Sequence, residues 1–197
     1  MSASKARGWI LLLSFLALIL SLALKNKLAA LVLSAACLLL AVVILYRNLG
    51  RMTDISPDNP KMKTLKLVTV FDGALLVLCV ILAVLMETGV LRLSERQEVY
   101  LAGLIVVAFM LFAGNIAPRL PFSRHTGLRL PWTVADEDTW VVAHRILGYL
   151  SIPLALLYLA CLPAMEGAAE KLTLAVILLW VGIPGGLSYA YYRKKFK

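Results

Sequence analysis

The chain has 197 residues, 61% of them hydrophobic, and a formal net charge of +9. Soluble domains hold about 45–50% apolar residues, so this composition excludes a soluble globular protein. The charge is no nucleic-acid signal either, because the cations collect between apolar blocks and no aromatic-interleaved basic stripe appears.

An apolar run of about 18 residues crosses a ~30 Å hydrocarbon core as a helix. Six runs near or above that length are present, at 8–24, 28–46, 67–86, 99–116, 146–163 and 172–192. The expected fold is an all-α integral membrane protein, a bundle of six transmembrane helices forming a single transmembrane domain over 1–197. Lys5 and Arg7 precede the first run as they would a signal peptide. That run exceeds the usual ~7–15 apolar residues and no A-x-A site follows, so it is expected to stay as a span.

Only Lys25, Asn26 and Lys27 separate the first two spans, which requires a tight antiparallel hairpin. The connection 47–66 is basic, and its Ser56-Pro57-Asp58-Asn59 stretch is turn chemistry. Span three carries Asp72, a candidate functional carboxylate about two turns from the span's end, since acids in a bilayer are costly and seek partners or water. Cys37, Cys79 and Cys161 lie singly within spans and read as small hydrophobes, with no disulfide or metal site implied. Pro153 in span five and Gly182-Ile183-Pro184-Gly185-Gly186 in span six mark kinks or close packing. Trp9, Tyr46, Tyr100, Tyr189, Tyr191 and Tyr192 fall at span ends, as an aromatic belt does. With the N-terminus inside, fifteen of the 20 Lys and Arg residues fall on inner segments. The positive-inside rule then places both termini in the cytoplasm, and the same cations can meet anionic lipid heads.

The connection 114–148 is different in kind. Pro118, Pro121 and Pro131 forbid a continuous helix, so the chain must leave span four as an ordered turn or loop. Thr133-Val134-Ala135-Asp136 reads as a capping box, with Thr133 as N-cap and Asp136 at the third helical position. Asp136, Glu137 and Asp138 then suit the positive end of the helix dipole. Helical spacing puts Asp136, Trp140 and His144 on one face, and Gly148 on the same line leaves room for a neighbour. Arg129 is expected to pair with the acidic cluster, and Arg145 to reach lipid phosphates from the membrane boundary.

These residues resemble the signature of the SdpI-type immunity protein family of bacterial membrane proteins. The pattern appears here as Gly114-Asn115, Pro118-Arg119, Gly127-Leu128-Arg129-Leu130-Pro131-Trp132-Thr133, Asp136 to Asp138, Trp140, Ala143-His144-Arg145 and Gly148. Leu130 and Ala143 stand where the family usually has Thr, and Arg119 where it has Lys. The loop Ser123-Arg124-His125 lacks the family's Asn and aromatic residue. The resemblance implies a multi-pass protein of the bacterial cell (inner) membrane that confers resistance to a secreted peptide toxin. It also implies a receptor-like relative in which the toxin-bound protein holds a cytoplasmic transcriptional repressor at the membrane, with no direct nucleic-acid contact.

Two other classes compete. A small-molecule or ion transporter would use Asp72, Pro153 and the Gly-Pro segment, but no pair of corresponding broken spans is visible. An intramembrane enzyme would need His125, His144 and the acids 136–138 to converge, yet no metal-ligand or nucleophile spacing is present. No catalysis, metal or cofactor is expected.

Overall fold

A computed structural model describes residues 2–53, 55–56, 58–122 and 127–197. Among them are six long α-helices and no strand: α1 (Ala3–Ala23), α2 (Lys27–Thr53), α3 (Pro60–Glu87), α4 (Glu95–Ile116), α5 (Glu137–Cys161) and α6 (Ala169–Lys195). Pro57 and the loop 123–126, with Arg124 and His125, lie outside the described residues. The helices run past the apolar stretches. Hydropathy marks only the part of a helix that suits lipid, whereas backbone hydrogen bonding continues into polar flanks such as 137–145.

Their surfaces carry large exposed apolar side chains, including Leu11, Phe15, Leu22, Leu156 and Leu178. A soluble monomer rarely exposes contiguous apolar area on this scale. By length and composition, five continuous helical segments can cross a membrane, the last running Glu137–Lys195 over 59 residues. A straight helix of that length would reach about 90 Å, three times the hydrocarbon core. It does not run straight: a 3-10 segment, Leu162–Ala168, breaks it with Met165 at non-helical angles. α6 then packs back on α5.

The chain divides into two compact units, 1–92 and 93–197. In the first, α1 and α2 form the hairpin that the three-residue link requires. Buried Ala6, Ala17, Ala30 and Ala35 let the two backbones approach, and the Ser34 hydroxyl donates to the Ala17 carbonyl at 3.0 Å. Asn59 caps α3 by accepting from Lys61 N–H at 2.9 Å, with Pro60 opening the helix. Asp72 is exposed on α3, and its carboxylate meets no hydrogen-bond or ion-pair partner among the described residues.

In the second unit, α4, α5 and α6 enclose a core of Val107, Met110, Leu147, Leu154, Tyr158 and Trp180. Ser151 on α5 accepts from the Trp180 indole N–H at 2.7 Å and donates to the Leu147 carbonyl. Tyr158 and Thr173 share a hydrogen bond of 2.8 Å farther along. Both prolines, Pro153 and Pro184, lie inside continuous helices.

Candidate functional site

The unusual connection 114–148 folds within the second unit. α4 ends at Ile116, and the chain turns through a 3-10 segment, Ala117–Arg119, as Pro118 demands. A single turn follows, closed by Val134 N–H to the Leu130 carbonyl at 3.1 Å, with Pro131 at its start. α5 begins only at Glu137.

The helix start therefore differs from the expected capping box. Asp136, not Thr133, is the N-cap: its carboxylate accepts from the Thr139 N–H at 2.9 Å and from the Thr139 hydroxyl at 2.7 Å. Glu137 and Asp138 occupy the first turn, where the dipole favours them. Thr133 is fully buried one turn earlier. Its hydroxyl accepts from Leu130 N–H at 2.8 Å and shares its proton between the Leu128 and Leu130 carbonyls. That hydroxyl is committed to the turn at Leu128 and Leu130, one turn before the helix, and the cap falls to Asp136, whose carboxylate reaches the Thr139 N–H.

The acidic cluster also finds a different cation. Lys195 Nζ, at the end of α6, binds Asp136 at 2.7 Å and Asp138 at 2.8 Å, whereas Arg129 is exposed and makes no ion pair among the described residues. The antiparallel return of α6 delivers Lys195 there. Its hydrogen bond, then that of Thr139, holds the Asp136 carboxyl below the usual carboxylate range. A depressed folded pKa adds stability that is present above the unfolded value of about 4 and is lost as pH falls through the folded value. Asp136→Ala should cost ~1 kcal/mol, as for other lost caps, and Asp136→Ser less. Acid unfolding monitored by circular dichroism should show an Asp136-dependent loss below about pH 4, absent in Asp136→Ser; identical acid profiles would contradict it.

At the centre of the site, Trp140 and His144 stack at 3.9 Å between ring centroids. Both are buried. His144 Nδ1 lies 2.8 Å from the Trp140 carbonyl, which can only accept, so Nδ1 carries the proton. Nε2 accepts the Leu128 N–H at 2.9 Å. The geometry therefore selects the neutral Nδ1–H tautomer and leaves neither ring nitrogen open. Gly127 crosses the stacked rings at φ +82°, and a Cβ there would meet His144 Nε2 and come within 2.8 Å of Trp140. Phe122 closes on Trp140 edge-on at 5.8 Å. The Trp140 indole N–H is buried with no acceptor among the described residues.

Two further contacts bind this elbow to the helices. The Trp132 indole N–H donates to Ser188 Oγ on α6 at 3.0 Å, and Ser188 donates to the Gly185 carbonyl at 2.9 Å. Trp132 also packs on Tyr189 at 4.9 Å. On the other side, Gly148 is seated against Pro118 and the Gly114 carbonyl, a Cβ there falling 2.8 and 2.9 Å from them. The open position expected at Gly148 is thus filled by Pro118. The departures from the family pattern are packed as well: Leu130 lies against Gly185, and Ala143 is fully buried.

Of the signature residues, Gly127, Trp132, Thr133, Asp136, Trp140, His144 and Gly148 hold the elbow together through these contacts. Asn115, Pro118, Arg119, Arg129, Pro131 and Arg145 are exposed. Asp72 belongs to the first unit. The sequence reading missed Ser188 and the pairing of Lys195, and it marked Gly185 only for close packing. The Gly-Pro segment and the basic tail were visible, but they carried only packing and topology signals.

An all-helical, multi-pass membrane protein with an ordered elbow ahead of its fifth helix is the class that this fold and site define. Residues 119–188 match the model of the SdpI/YfhL protein family, from the arginine of the 3-10 turn to the serine that receives Trp132. The chain is 29% identical over 118 residues to a protein named Immunity protein SdpI of Bacillus subtilis (strain 168), over 58% of this chain and 56% of that one. It thus spans little more than half of that relative's length. The family resemblance carried by the signature holds over the matched segment. No solved structure matches the chain.

Proposed function

We propose that this protein is a non-enzymatic immunity protein of the bacterial cell membrane, with six crossings and both termini cytoplasmic, that protects its cell from a secreted peptide toxin. The observation that carries the reading is the elbow: Gly127, Trp132, Thr133, Asp136, Trp140 and His144 converge on one folded unit inside the family-matched segment. The positive charge on segments facing the cytoplasm supports the orientation. The engagement of both His144 nitrogens favours a scaffold over proton transfer or metal binding.

Within this reading Arg129 is the contact residue. It is exposed and free of ion pairs among the described residues, and the turn beside it is fixed by Thr133 and Trp132. A cytoplasmic repressor, if this protein shares that arrangement, would meet the same face. Cells expressing the protein are challenged with secreted killing peptides of related bacteria. Arg129→Ala should lower survival about tenfold or more, the loss of one good contact, with the amount of protein in the membrane fraction unchanged. Trp132→Ala should do the same. Full survival with Arg129→Ala would remove the elbow from the mechanism.

A further inference from the structure

A second feature of the same unit is a cleft between α4 and α5. The close approach of Gly148 to Pro118 and Gly114 draws α4 and α5 together and leaves a cleft of about 410 Å³ beside that contact. Asn115, Arg119 and Arg145 form its polar part, while Leu111, Tyr149 and Ile152 form an apolar wall. Neither arginine has a carboxylate partner among the described residues. The wall is no buried core: Tyr149 is 81% and Ile152 60% exposed, on a helix that belongs in the bilayer. Two cations and an amide at the head of an outward-facing apolar strip match a phosphodiester with acyl chains below it.

We propose that this cleft binds one anionic phospholipid, its phosphate held by Arg119, Arg145 and the Asn115 amide and its proximal acyl chains lying along Leu111, Tyr149 and Ile152. The lipid source is favoured over free phosphate because the apolar wall continues into the surface that faces hydrocarbon. It is favoured over an acidic peptide for the same reason. The inference stands independently of the immunity reading.

The test uses the full-length protein purified in detergent, with phosphatidylglycerol or phosphatidylcholine titrated in and bound lipid counted by native mass spectrometry. The wild type should prefer phosphatidylglycerol. The double change Arg119→Gln with Arg145→Gln should weaken that binding roughly thirtyfold, the loss of two membrane-surface cations. Lys194→Gln with Lys197→Gln removes equal charge away from the cleft and should leave it unchanged. Ile152→Trp keeps both arginines but fills the wall, and should also weaken binding. The proposal is overturned if both double variants lose equally, or if Ile152→Trp binds as the wild type does. It is likewise overturned if phosphatidylcholine binds as well, or if inorganic phosphate at matched concentration displaces the lipid.

Discussion

Gly127→Ala should loosen the elbow by ~2–5 kcal/mol, although it adds one methyl group. Two costs combine. A left-handed backbone costs a residue with a Cβ about 1–2 kcal/mol, and at Gly127 φ is +82°. Overpacking adds about 1–3 kcal/mol, because the new Cβ would meet the His144–Trp140 stack. The stack cannot retreat easily, since both rings are buried on α5 and His144 is tied at each nitrogen. Gly127 and the Leu128 amide meet the rings directly, so the sensitive readout is local. Hydrogen exchange at the Leu128 amide should accelerate by orders of magnitude while amides in the middle of α5 keep their protection. Unaltered exchange at Leu128 would show that Gly127 is not held where the rings are.

His144→Ala should destabilise the same region by ~2–5 kcal/mol through a lost stack, a cavity and an unpaired donor. Leu128 N–H would then point at nothing, since Nε2 is its acceptor. His144→Gln restores an acceptor near that position and should recover part of the loss. Toxin protection, measured in the survival assay above, should follow the same order: wild type, then Gln, then Ala. A histidine acting as a proton carrier or metal ligand would instead fail fully in both variants. Nitrogen NMR of the ring supplies an independent check and should report a protonated Nδ1 and a bare Nε2. A doubly protonated ring would set Nε2–H against Leu128 N–H, donor facing donor.

Much of the architecture was legible from local pattern. Apolar runs of span length announced the long helices, and a three-residue link left α1 and α2 no choice but a hairpin. Pro118 and Pro131 broke the chain where the 3-10 turn and the elbow turn occur. The spacing of Trp140, His144 and Gly148 placed them on one face, and the structure finds them sharing it: two rings stacked, then a glycine receiving Pro118. Hydropathy and helical periodicity are properties of neighbours along the chain, so they survive reading without coordinates. The partners were another matter. Thr133 looked like a cap and Arg129 like the mate of the acids, because both stand close by in sequence. A local bond from Thr139 gave the cap to Asp136, while tertiary structure gave the acids to Lys195 and supplied Ser188 to Trp132. Those last two choices depend on the register in which α6 returns along α5, set by Ser151 with Trp180 and Tyr158 with Thr173. Residues more than fifty positions apart meet only once that register exists, and no local signal encodes which of several competent donors and acceptors will arrive.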